Sequence, residues 1–164
     1  MDSATRVQES RVFPHPVNVV WNHIRPADFK FWTSAVKEAQ VEGGLPGEVG
    51  SQRKVTFKDG TVQRYQLVEL SDLAYFITYE MIESNPPVKM SAALHTIKLR
   101  KITHDNSTLV EWESDYSSSG NETASVIEDS RLKKKEALQV RDRLWQASPV
   151  MHAFTLCNLR SHIL

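Results

Sequence analysis

From Ala35 to Tyr116 the chain passes through one strand-like segment after another with no helical stretch between them. Only then does it supply a long segment, Ala124–Gln146, free of glycine and proline. Consecutive strands joined by short turns pair antiparallel, because a parallel pair needs a crossover of a dozen residues or more. A sheet built this way has an apolar face to bury. Ala124–Gln146, rich in Glu, Lys, Arg, Leu and Ala, is the element long enough to cover it.

The individual segments follow from alternation and punctuation. Thr5–Phe13 mixes β-branched and polar side chains and reads as a first strand, ended by Pro14 and Pro16. Val17–Arg25 sets Val20, Trp21 and Ile24 at helical spacing, and after Pro26 the stretch Ala27–Trp32 has room for a second short helical piece. Lys37–Glu42, Ser51–Lys58, Val62–Leu70, Ala74–Glu83, Val88–Ile102 and Thr108–Tyr116 read as strands. Asp59-Gly60 is the sharpest hairpin signal between them. Ser148-Pro149 stops the last helix. The expectation is an α+β fold in which a seven-stranded curved antiparallel sheet surrounds a long C-terminal helix, with two short helices after the first strand. Residues 1–149 are read as one domain and 150–164 as a tail outside it.

Composition narrows the function classes. A chain of 164 residues buries about 70% of its unfolded surface and needs no staple. Its single cysteine, Cys157, excludes an internal disulfide and suits a reducing compartment. Met1–Glu9 is polar, with no apolar signal core, and no stretch approaches the roughly 20 apolar residues of a membrane span. A cytoplasmic, soluble protein is therefore expected. Lys and Arg number 20 against 20 Asp and Glu, which argues against a nucleic-acid partner. The histidines show no zinc-type pairing, and the glycines at 44, 47 and 50 lack the Gly-Lys-Ser/Thr ending of a phosphate loop. Neither metal nor cofactor is expected.

Alternation assigns faces to the strands. In Leu109–Tyr116, Leu109, Glu111, Glu113 and Asp115 share an acidic, solvated face, while Val110, Trp112, Ser114 and Tyr116 share the inner one. Tyr75, Ile77, Tyr79 and Met81 form a second apolar-bodied set, and Met90, Ala92 and Leu94 a third. Arg53, Val55 and Phe57 lie on one face of their strand, as do Tyr65 and Leu67 of the next. A strict two-residue turn at Asp59-Gly60 would set Val62 and Arg64 beside Val55, so a bulge or longer loop is expected there. Arg53, if buried, needs a carboxylate or the polar end of a ligand as partner. The last helix should turn its less charged stripe, including Leu138, towards the sheet. Its basic run, Lys133-Lys134-Lys135 with Arg131, Arg141 and Arg143, reads as a solvated face, with weak contact to an anionic membrane as the alternative.

Several motifs together resemble the START and birch-pollen-allergen-like (SRPBCC) superfamily, in particular its polyketide cyclase/dehydrase-like branch. They are Pro16-Val17-Asn18-Val19-Val20-Trp21, Asp28–Trp32, Gly50-Ser51-Gln52-Arg53 followed by Asp59-Gly60, Pro87-Val88, and Thr108-Leu109-Val110-Glu111-Trp112. The resemblance implies a helix-grip fold with an internal cavity for sterols, lipids or polyketide-like molecules, with Tyr65 and Leu67 turned inward and Trp32 on the wall. Many members carry a carboxylate where Tyr65 stands. Its absence weakens a general-base mechanism, since a phenol of pKa about 10 is a poor base at neutral pH. The reading is therefore a binder or carrier of a small hydrophobic ligand. Two alternatives remain: a cyclase or dehydratase using tyrosine and arginine to polarise a carbonyl, and an interaction module with a collapsed cavity.

Overall fold

The computed structural model describes residues 3–88, 90, 92–118 and 123–139. Strand β1 (Ser3–Phe13) leads into helix α1 (Val17–Ile24), then strands β2 (Val36–Gly43), β3 (Gln52–Phe57), β4 (Val62–Ser71), β5 (Phe76–Asn85), β6 (Ala92–Ile102) and β7 (Ser107–Ser118), and finally helix α2 (Thr123–Leu138). The strands form one seven-stranded sheet in the order β1-β7-β6-β5-β4-β3-β2, and every neighbouring pair is antiparallel. Short turns join β2 to β7 in sequence. Only β1, separated from β2 by α1, must cross over to pair with β7. The architecture is the α+β arrangement read from the order of segments, and it is the helix-grip form that the family resemblance implies.

Helix α1 follows the spacing of its apolar residues. Pro16 occupies its N-cap, and Val17, Val20, Trp21 and Ile24 are buried. Asp72, in the turn after β4, fixes the far end: Trp21 Nε1 donates to its Oδ1 at 2.9 Å, and the Arg25 guanidinium donates to both carboxylate oxygens at 2.7 and 3.0 Å.

The second short helix does not form. Residues 27–35 make turns, because Ala27 and Phe29 sit in the left-handed backbone region at φ 53° and 54°, which no right-handed helix accommodates. Both are buried, so the chain here is pressed inward. The hairpin at Asp59-Gly60 takes the longer loop. Phe57 N donates to Thr61 O at 2.8 Å, Gly60 adopts φ 90°, and Arg53 is set opposite Tyr65 and Val55 opposite Gln63.

Helix α2 lies along β1, and Arg11 donates to the Leu138 carbonyl at 2.6 Å. Its buried residues, Ser130, Lys134, Ala137 and Leu138, recur at helical spacing and form one stripe. Residues 140–146 of the sequence-predicted helix and the 150–164 tail lie outside the described residues. No helix among the described residues is long and apolar enough to cross a membrane.

Candidate functional site

Between the inner face of the sheet and α2 lies a cavity of about 700 Å³. The strands supply its walls by alternation: Phe57 from β3, Gln63 and Tyr65 from β4, Tyr79 and Met81 from β5, His95 from β6, and Trp112 and Tyr116 from β7. Phe29 and Trp32 enter from the turns after α1, Val88 and Met90 from the β5–β6 connection, and Val126, Ser130 and Lys134 from α2. Exposed lining residues mark its mouth: Lys58 and Asp59 at the β3–β4 turn, and Ser125, Asp129 and Lys133 on α2.

The left-handed turn puts Phe29 at the centre of the aromatic wall. Its ring centroid is 5.4 Å from Tyr65, 5.1 Å from Tyr79 and 6.1 Å from Trp112, which it stacks at 12°. Trp32 meets Trp112 edge-on at 6.3 Å and Phe57 at 5.8 Å. On the other side Tyr79 stacks on His95 at 4.9 Å, and His95 meets Tyr116 at 5.8 Å. Such offset and edge contacts suit rings with negative faces and positive edges.

Few of the polar groups in the lining are buried, and those that are have shifted titrations or close hydrogen bonds. His95 Nδ1 shares a hydrogen bond of 2.6 Å with Ser114 Oγ. Burial, reinforced by the charge on Lys134, pushes His95 down to about 3, so it is neutral at physiological pH. Burial holds the phenols of Tyr65 and Tyr79 above their usual range, which makes them donors rather than bases. Tyr65 donates to Gln63 Oε1. Lys134, only 4% exposed, is the buried cation among the described lining residues, and burial lowers it to about 8. Its Nζ donates to Ser130 Oγ at 2.6 Å, and Tyr116 donates to the same oxygen at 2.7 Å.

Of the residues singled out from sequence, Trp32, Phe57, Tyr65, Tyr79, Met81, Met90, Trp112 and Tyr116 meet at this cavity. Val55, Leu67, Ile77, Val110 and Leu138 also face inward, but they pack into solid core beside it. Ser114 is fully buried behind His95. Tyr75 sits in the β4–β5 turn at φ 52° and packs edge-on against Trp21 at 5.7 Å, away from the cavity. Ala92 opens β6, and its side chain lies outside the described residues. Leu94 is a correction of face. It is 39% exposed on the outer surface, opposite Asp115, while Ala93, His95, Ile97 and Leu99 point inward.

Arg53 is buried at 3% exposure, yet it does not line the cavity. Its guanidinium donates to the carbonyls of Pro26 at 3.1 Å and Gln52 at 3.2 Å, beside a separate hollow that also includes Asp28, Lys30 and Gly47. Burial lowers its pKa, with the charge of Asp28 opposing. The lining residues that sequence reasoning missed include Phe29, His95, Ser130 and Lys134. The solvated face expected for Lys133-Lys134-Lys135 holds for Lys133 and Lys135 only: Lys134, the middle residue of the triplet, turns inward while its neighbours stay exposed. Among the described residues no group of three or more His, Cys, Asp or Glu is placed to hold a metal.

Comparison with known proteins agrees with this fold. The sequence model of a family described as polyketide cyclase/dehydrase and lipid transport matches residues 4–134. A solved structure of a Nitrosospira multiformis protein is 26% identical, with a TM-score of 0.70 over 84% of this chain and 97% of its own. An uncharacterised Bacillus thuringiensis protein aligns with a TM-score of 0.75 at 18% identity, covering 87% of this chain and all (100%) of its own. The structure of Ara h 8.0201 shares the fold at a TM-score of 0.72 and 14% identity, over 87% of this chain and 98% of that one. No curated protein matches the chain.

Proposed function

The chain belongs to the polyketide cyclase/dehydrase and lipid transport family, and from that premise we propose that it binds or carries a small hydrophobic molecule in the cavity between sheet and helix. The observation that carries this reading is the cavity itself: about 700 Å³, walled by Phe29, Trp32, Tyr79, Met81, Met90 and Trp112. Ligand sites of this size bury most of a small molecule against apolar walls, with a few polar groups fixing orientation. Burial of ligand carbon at about 25 cal/mol per Å² supplies the affinity.

Two features favour binding over catalysis. His95 has the hydrogen-bonded look of a base, but its partner Ser114 is fully buried and cannot reach a cavity molecule. A histidine held at about 3 is also a weak proton acceptor. An interaction module with a collapsed cavity is disfavoured by the open volume. Membrane docking through α2 has little to rest on: Arg131, Lys133 and Lys135 each lie within 4.0 Å of a carboxylate, from Glu9, Glu128 or Asp129.

Trp112 reports on occupancy, because it is 5% exposed and sits where the aromatic wall meets α2. Native mass spectrometry of freshly purified protein should show one retained small molecule per chain. An apolar probe should change the indole fluorescence saturably at the same stoichiometry. Trp112→Phe should remove most of that signal and keep the fold, as a swap that preserves much of the volume does. A chain that retains nothing and takes up no apolar probe would refute the carrier reading.

A further inference from the structure

Lys134 raises a question that an apolar cavity alone does not answer. Its ammonium lies 5.7 Å from the ring centroid of Trp112 and 5.8 Å from that of Tyr116, and it is nearly sealed from solvent. Burying a charge is costly unless it is paired. Among the described residues no carboxylate lies within 4.0 Å of it, and one of its three N–H groups is taken by Ser130.

The acids whose charge it feels are Glu9 on β1 and Asp129 on α2, and both are engaged elsewhere. Glu9 pairs with Arg131 at 3.5 Å and Lys135 at 4.0 Å, and Asp129 pairs with Lys133 at 2.7 Å. His95, which faces Lys134 from β6, is neutral, Tyr116 from β7 donates its hydroxyl to Ser130, and Lys133 opposes the charging of Lys134. For a wholly apolar cargo a methionine of similar length would serve better here. A buried ammonium in this position calls for an anionic partner.

We propose that the α2 wall of the cavity is a carboxylate site: Lys134, steadied by Ser130 and Tyr116, pairs with the acidic head of an amphipathic ligand whose hydrocarbon lies against the aromatic wall. One ammonium balances one monoanionic head, so a fatty-acid-like carboxylic acid fits better than a doubly charged phosphate. This rests on the cavity being a ligand site and adds the chemical class of the ligand.

The test compares dodecanoate with 1-dodecanol, which share a chain and differ in the head, by titration calorimetry below the micellar concentration of the acid and the solubility limit of the alcohol. The wild type at pH 7 should bind the acid at least tenfold more tightly than the alcohol. Lys134→Met should abolish that preference, and Lys134→Arg should keep part of it. Acid affinity should fall as pH rises above about 8, where the free protein loses the ammonium, towards tenfold per pH unit, while alcohol affinity stays level. That profile needs no variant, so it decides the matter even if Lys134→Met fails to fold. Equal affinity for both heads, or an acid profile flat through pH 10, overturns the carboxylate site and leaves the carrier reading standing. Failure of both compounds to bind overturns both.

Discussion

At the scale of single residues, burial in the cavity wall shifts titrations away from the values the same groups have in water, and this links folding to pH. His95 has an ordinary value of 6.5 and a folded value of about 3. Below about 6.5 the unfolded chain takes up a proton that the folded chain refuses. Stability is therefore fully present above that value and is lost as pH falls towards 3, by at most about 1.4 kcal/mol per pH unit. Chemical denaturation between pH 7 and 5, a range above most carboxylate titration, should show this loss. His95→Asn should flatten it relative to wild type, leaving the smaller contribution of His23, which burial also lowers. Equal slopes in the two proteins would mean that His95 is solvated. Lys134 acts at the other end of the scale: burial lowers it to about 8 from 10.5, so its contribution makes the protein more stable as pH rises through that interval. Neither residue was legible as part of the site. Hydrophobic alternation counts histidine and lysine as outward-facing, and on β6 this exchanged the faces of Leu94 and His95. In α2 the same rule assigned Lys134 to its exposed neighbours.

At the scale of elements, strands were easier to read than the turns that connect them. Leu109 to Tyr116 alternates acid and apolar, and its faces follow directly, with Trp112 and Tyr116 inside and Glu111, Glu113 and Asp115 outside. Residues 27–35 gave no such signal, because a left-handed alanine or phenylalanine has no sequence signature; glycine would have announced it. Substitution distinguishes the two readings. In a right-handed helix Ala27→Gly would cost about 1 kcal/mol and Ala27→Val less. At φ 53° the order should reverse, with Gly near neutral and the β-branched Val costing more than about 2 kcal/mol by denaturant titration. Gly proving the worse of the two would restore the helix. For α2, the buried stripe Ser130, Lys134, Ala137 and Leu138 predicts that Leu138→Asp costs several kcal/mol, since an unpaired charge would enter the core. Leu132→Asp, on the exposed face at 57% exposure, should stay within about 0.5 kcal/mol. Similar losses at both positions would displace the helix register.

At the scale of the molecule, the order of segments decided the architecture, because strands without helices between them can only fold back on one another and then need a cover. What that logic leaves open is whether the enclosed space is filled by side chains or kept for a guest, since both place the same residue types inward. Among the described residues, the β5–β6 ladder runs only from Phe76 opposite Lys98 to Glu80 opposite Leu94, and Met81, Val88 and Met90 line the cavity just past that point. A space kept open in this way should be filled at a gain. A ligand that binds only the folded chain at a hundred times its dissociation constant stabilises it by about 2.7 kcal/mol. For a chain of this length that corresponds to a rise of about 5–10 °C in the thermal midpoint. Titrating dodecanoate below its micellar concentration should give this rise, growing with the logarithm of ligand concentration once the site is saturated. Binding to exposed side chains such as Leu45 or Leu73 would instead give a small, unsaturable change, because the unfolded chain offers the same surfaces. A midpoint that does not move with ligand would mean that side chains close the cavity in solution and that the fold is serving a different purpose.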